Sequence, residues 1–327
     1  LVPQIVSRWG VTEILAGVAR STREDPIRPA MAKRKSLVRL GRGAFLSTAV
    51  IPESFRSWEV RAAVTRARAL VATTTPEGEA RALLTGEAAV AAYGLSTWHS
   101  TPDLHVWPLQ EQGSVAAVSL PHVTARGIIV PKARLSRQRA VKFVGEALAQ
   151  LDGAEYTRDS FGYPRRVRPP AQLPVVGLAE AALDCARFEH PLVAWIAMCG
   201  ALRRLSWFDA FKQEAWQRRE AQVKHVLAET VEPLRKRRGS KRRASIIAGA
   251  SGGVDGPGEG AIHWLVSILL RGDRRDVAHF QAQCPFWEEG RRRHFVDLGF
   301  PHLRFGFEFD GVGKVMDHSQ AKSWVER

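Results

Sequence analysis

Apolar residues recur at intervals of three to four along "LAEAALDCARF", "LVAWIAMCGALRRL" and "WFDAFKQEAWQRREAQVKHVLAETV", which predicts amphipathic helices there. "SWEVRAAVTRARALVA" and "LLTGEAAVAAYGL" also read as helices, the second ended by Gly94. Between them "DLHVWPL" and "HVTARGIIVP" look like strands. The pattern predicts a mixed α/β middle domain over residues 53–234.

Nearer the N-terminus the units are shorter. Thr12 caps a predicted helix running to about Arg20, with Ile14, Leu15 and Val18 on its buried side. "STRED", which contains Arg23, is a polar turn, and Asp25-Pro26 reads as the N-cap and first residue of a second helix. That helix carries Arg28, Lys33, Arg34 and Lys35. "LVRL-GRG-AFLS", with Arg39 and Arg42, predicts a small hairpin whose glycines make the turn. Helix, turn, basic helix and β-wing is the layout of a winged helix-turn-helix, expected here over residues 1–52. Its second helix would enter the major groove while wing arginines touch phosphate. A small helical subdomain with a solvated basic face is the competing reading.

The C-terminal block reads as a helix (259–271), the strand "AHFQAQCPF", and a hairpin in "FVDLGFPHLRFGFEFDGVGK". With Pro301 to Arg304 as the loop, Phe300 faces Phe305, Leu298 faces Phe307 and Val296 faces Phe309. The same register sets Asp297 opposite Glu308. Directly opposed side chains lie about 5 Å apart, and like charges there repel. A one-residue slip would put the acids among the phenylalanines, so the repulsion calls for a proton or a cation. Paired carboxylates with room for water suit a hard ion such as Mg²⁺. The competing reading is a solvated acidic face, where such a pair costs little.

The charge distribution sharpens the picture. The 327-residue chain carries a net charge of +15. Residues 1–50 hold nine Lys/Arg against three acids, and "RKRRGSKRR" at 235–243 adds seven positive charges. From Glu259 onward the charges balance, ten against ten. An excess this localised points to a polyanion, most simply nucleic acid. "GASGGVDGPGEG" lacks the lysine and preceding strand of a phosphate-cradling loop, so residues 235–258 read as a basic, glycine-rich linker.

Apolar content of 45% and charged content of 25% fit globular material rather than global disorder. Apolar runs such as "WLVSILL" fall well short of the ~20 residues of a membrane helix. No signal-peptide layout opens the chain, and the first residue is not Met, which suggests a fragment. Cys185, Cys199 and Cys284 lie too far apart for metal-ligand spacing, so packing in a reducing, cytoplasmic setting is expected. His99, His105 and His122 are scattered and read as structural or surface residues.

These motifs carry a family resemblance. A helix with Glu259, then Asp297, then "EFDG" at 308–311 resembles the PD-(D/E)XK nuclease fold, closest to the small domain related to very-short-patch-repair endonucleases. "LGRGAFL", "LTGEAAVAAYGL" and "LAEAALDCAR" are similar to motifs of AbiEi-like antitoxins, and the order of all these motifs resembles an actinobacterial fusion of the two. The resemblance implies an α+β fold: winged helix, mixed middle domain, and a restriction-endonuclease-like sheet with flanking helices over 259–327. It implies Asp297 and Glu308 as metal ligands for Mg²⁺ and Glu259 as the supporting helix acid. Asp310 stands where the family's lysine often stands, and Lys314 would supply positive charge from the following turn. Two further departures are visible: the middle motif lacks the family's Arg-Thr, and the last domain is expected to be incomplete at its C-terminus.

Three functions follow from these readings. The first is a Mg²⁺-dependent DNA endonuclease guided by the winged helix. The second is a non-catalytic antitoxin or autoregulator that binds a cognate toxin or its operator. The third is a plain nucleic-acid-binding protein. None of them involves a membrane, and fold resemblance alone does not choose among them.

Overall fold

A computed structural model describes residues 173–236, 239–270, 280–286 and 294–309. Toward the N-terminus it describes 57–75, 79–99 and 101–109, with short segments at 18–20, 37–41, 44–47, 51, 53–54, 123–125, 128–130, 133–135 and 148. The fold is mixed α+β, with helices packed beside several small sheets.

Three strands lie nearest the N-terminus: β1 (Val18–Arg20), β2 (Leu37–Gly41) and β3 (Ala44–Ser47). They form an antiparallel sheet in the order β1-β3-β2, so the expected hairpin is present. The helix expected to reach Arg20 is corrected at that end, because Val18, Ala19 and Arg20 pair with Leu46, Phe45 and Ala44. Val18 is β-branched and lies opposite Leu46, so sheet pairing overrides its helical spacing from Ile14 and Leu15. Arg39 lies on β2, while Arg23, Arg28, Lys33, Arg34, Lys35 and Arg42 fall outside the described residues.

Helix α1 (Ser57–Thr73) packs on β2. Its buried side is Val60, Val64, Ala67, Leu70 and Val71, spaced as one helix face requires. The stretch "LLTGEAAVAAYGL" is corrected in its first half. Strand β4 (Ala82–Thr85) pairs antiparallel with β5 (Leu104–Pro108), and only then does α2 (Gly86–Ala92) begin. Gly86 sits at φ +66, a left-handed turn from strand to helix that glycine makes without strain. "HVTARGIIVP" divides into an antiparallel pair, β6 (Val123–Ala125) and β7 (Ile128–Val130), while β8 (Ala133–Leu135) runs parallel to β5.

The helical core follows as α3 (Leu178–Phe188), α4 (Pro191–Leu205) and α5 (Gln213–Val231). Helix α4 is its centre, with Ala194, Met198, Cys199 and Leu202 buried. It ends in a 6→1 turn in which the Phe208 N–H donates to the Arg203 carbonyl at 3.1 Å. Trp207 therefore takes φ 55, where glycine is usual. This turn is why the helix expected from Trp207 starts only at Gln213, after a 3₁₀ turn at Ala210–Lys212.

Of residues 235–258, expected as a linker, 240–254 are instead folded against the core. Helix α6 (Ser240–Gly249) buries Arg243, Ile246 and Ile247, again at helical spacing. Arg242 donates from Nε to the Ala186 carbonyl at 2.9 Å and from Nη2 to the Arg187 carbonyl, satisfying the open end of α3. Gly249 passes against the buried Trp195 indole, where a Cβ would overlap the ring. Gly252, Gly253 and Gly258 likewise sit where a Cβ would overlap a neighbour, so these glycines mark close approach. Gly249→Ala is expected to cost about 1–2 kcal/mol, because the clash outweighs the ~1 kcal/mol gain in helix propensity. Urea unfolding checks this; a shift within about 0.5 kcal/mol of wild type is what a solvated linker would give.

The C-terminal block contains α7 (Pro257–Leu269), β9 (Gln281–Phe286), β10 (His294–Phe300) and β11 (Phe305–Phe307). The strands form an antiparallel sheet in the order β11-β10-β9. The hairpin has the register its alternation predicts: Leu298 opposite Phe307, and Phe300 opposite Phe305. Helix α7 is fixed to α4 by Gly260 against Ile196, and by the Trp195 Nε1–H donating to His263 Nδ1 at 3.0 Å. Burial pushes the His263 pKa down to about 3, keeping the ring neutral and Nδ1 an acceptor. Cys185, Cys199 and Cys284 are free and buried. Among the described residues no helix is long and apolar enough to cross a membrane.

Candidate functional site

Glu259 lies in the first turn of α7, where an acid complements the helix dipole. Its Oε2 accepts the backbone N–H of Asp255 at 2.9 Å, just ahead of the N-cap Gly256. A cap alone would leave an ordinary carboxylate. Here burial, followed by the charges of Asp297 and Asp255, pushes the Glu259 pKa up to about 7. The Asp255 amide and Arg203 oppose that rise.

Asp297 comes from β10. Its Oδ2 accepts the Phe309 N–H at 2.7 Å, where the strand pairing would otherwise continue. The Phe309 ring lies on Gly258, where any Cβ would overlap it. The "PGEG" sequence thus lets the hairpin's end come against the first turn of α7, which brings Asp297 into electrostatic range of Glu259.

Arg203, from the last turn of α4, closes the cluster. Its Nε pairs with Asp255 Oδ1 at 3.2 Å, and its Nη1 donates to the Gly252 and Gly253 carbonyls at 3.3 and 3.2 Å. Burial lowers its pKa, while Asp255 and Glu259 raise it.

Of the expected acids, Glu259 and Asp297 are brought together. Glu308 is exposed one residue past β11, at the position that the continued register sets opposite Asp297. Asp310 and Lys314 lie outside the described residues. Asp255 and Arg203 escape a reading of the sequence. Asp255 stands in the glycine-rich stretch, yet "VDGPGE" before an apolar run is a helix-start signal that locates it. Arg203 has no such local signal.

Among the described residues no group of three or more His, Cys, Asp or Glu side chains is placed to hold a metal ion. Glu259 and Asp297 each engage one carboxylate oxygen with a backbone amide, which among the described residues leaves the other oxygen of each. Mg²⁺ takes one or two carboxylates and completes its shell with water and substrate phosphate, so Asp297 and the Glu308 that the continued register sets opposite it would suffice as its protein ligands.

A second polar cluster joins two of the resemblance motifs. Thr85 Oγ1 donates to Asp184 Oδ2, tying the start of α2 to α3. Buried Glu87 accepts the His99 N–H at 2.9 Å and faces its Nδ1 at 2.8 Å. These contacts pin α2 in place, and nothing about them has catalytic geometry. No family model, curated protein or solved structure matches the chain.

Proposed function

We propose that this protein binds DNA and cuts it in a Mg²⁺-dependent reaction at the acidic cluster. The observation that carries the reading is that Glu259 and Asp297, distant in sequence, are brought to one place by Phe309, whose N–H binds Asp297 and whose ring lies on Gly258 beside Glu259. Burial first, and then the Asp297 charge, raise the proton affinity of Glu259. Like charges held together at a cost in stability are characteristic of sites kept for chemistry. Asp297 and Glu308 would hold Mg²⁺, which when bound would acidify a water and offset charge on the phosphate. Glu259 supports Asp297 from the helix, Lys314 adds positive charge beyond the hairpin, and Asp310 takes the place of the family's lysine. The β1-β3-β2 sheet would serve as the wing of a DNA-binding unit, and the basic residues that the sequence places between β1 and β2 would engage the duplex.

The observation favouring a non-cutting regulator of a toxin–antitoxin pair is Asp310 itself, an acid where the family often has lysine. Plasmid incubated with the full chain and Mg²⁺, Mn²⁺ or EDTA separates the readings. Nicking with either metal and none with EDTA supports the nuclease; a gel shift without nicking supports the regulator.

Neutralising Arg28, Lys33 and Lys35 together is expected to weaken duplex binding about tenfold or more, for all sequences alike. The slope of log affinity against log salt should flatten by roughly 0.9 for each phosphate that the variant no longer neutralises. Anisotropy across a salt series measures it, and an unchanged slope removes this surface from the interface.

A further inference from the structure

A cleft of about 770 Å³ opens beside the acidic cluster, within the range of small-molecule and nucleotide sites. Arg203, Arg204, Trp207, Phe208 and Phe211 line it, and it shares Asp255 with the cluster. Its floor is the apolar side of α4. The turn that ends α4 gives the cleft its aromatic rim, with Trp207 held at φ 55. A bulky residue in that conformation is strained by about 1–2 kcal/mol. The Arg219 guanidinium, 3.7 Å over the Trp207 ring, offsets part of this.

The cleft's charges are unequal. Asp255 is paired with Arg203, and Asp209 lies 3.9 Å from Lys212 and caps the Phe211 N–H. Arg204 is exposed and makes no ion pair among the described residues. The site therefore offers aromatic surface together with a cation that has no acid beside it among those residues.

The direction of the cleft is also fixed. Phe211 is 79% exposed and meets Phe295 edge-on, ring centroids 5.9 Å apart. Phe295 and Asp297 are two apart on β10, hence on the same face and about 7 Å apart along the strand. The open aromatic ring thus packs on the residue one strand step from the acid.

We propose that this cleft holds an unpaired nucleotide of the DNA strand presented to the acidic site, its base against Phe211 and its phosphate on Arg204. The proposal rests on the DNA-cutting reading for its choice of strand, but not on cleavage taking place. A paired base is covered by its neighbours and cannot present a face to Phe211. Aromatic side chains bind unpaired bases with little regard to sequence.

The test uses the full chain in EDTA and labelled oligothymidine, beside a duplex of equal length. Phe211→Ala is expected to weaken single-strand binding about tenfold, as loss of one stacked base does, with duplex affinity unchanged. Arg204→Gln is expected to weaken it as well and to flatten its salt dependence. Single-strand affinity unchanged in both variants overturns the proposal, as does an equal loss on single strand and duplex. Displacement of the strand by micromolar deoxynucleoside monophosphate overturns it too, since that marks a mononucleotide site. A selective loss in Phe211→Ala alongside a wild type that never nicks plasmid leaves the cleft standing and removes the nuclease.

Discussion

Glu259→Gln is expected to melt about 3 °C above wild type near pH 8 without divalent cation, and together with wild type near pH 4. The folded protein holds the Glu259 pKa at about 7, above its ordinary value of 4.5. Between those values the folded state keeps a proton that the unfolded chain has released. The stabilising contribution is full below the unfolded pKa and lost as pH rises through the folded one. Glutamine cannot ionise, so it escapes that loss and still accepts the Asp255 N–H. The full linkage value is about 3 kcal/mol, and solvent screening of a partly exposed carboxylate lowers it to about 1–2 kcal/mol. Asp184 is pushed to about 7 chiefly by burial, so wild type loses stability over the same window for a second reason. The difference between the two proteins isolates Glu259. Thermal melts across the range decide it; a variant that melts lower at every pH would mean that Glu259 is only a helix cap.

Asp297→Asn is expected to lower Mg²⁺-dependent cleavage by about 10²–10³, the scale on which removing one preorganised charge-stabilising group acts. The variant should remain folded, because asparagine presents an oxygen to the Phe309 N–H that now binds Asp297 at 2.7 Å. With one negative charge gone, the Glu259 pKa moves back toward its ordinary value, so the metal-free variant melts at or above wild type. Loss of rate without loss of stability is the signature of a site kept at the expense of stability. A variant that cuts as wild type does would place the chemistry elsewhere.

The parts legible in the sequence are those where one physical constraint dominates. The Leu298–Phe307 and Phe300–Phe305 register follows from alternation, since a slip exchanges buried and exposed faces. Helices α3 and α4 follow from apolar spacing in the same way. The strand at Val18–Arg20 is not legible, because three residues satisfy both periods and only the partner β3 decides between them. Residues 240–258 are deceptive because glycine and basic residues correlate with loops without requiring them. Gly249 is there to admit the Trp195 indole, and Arg242 to close α3, and both reasons lie far off in sequence. Within the site, Glu259 and Asp297 stand out through charge set against a strand pattern. Arg203 does not, because its partners reach it only through the packing of α4 against the turn before α7.

Asp297 is expected to belong to a site that takes a divalent cation on this frame. Calorimetric titration of Mg²⁺ into the full chain, wild type beside Asp297→Asn, tests it most directly. The expected result is saturable binding in the wild type, with a melting point that rises as Mg²⁺ does, since an ion bound only by the folded state stabilises it by mass action. The variant should give neither the heat nor the rise. Equal heats and equal melting points for the two proteins would rule out a cation site at Asp297 and leave the acids as a solvated face.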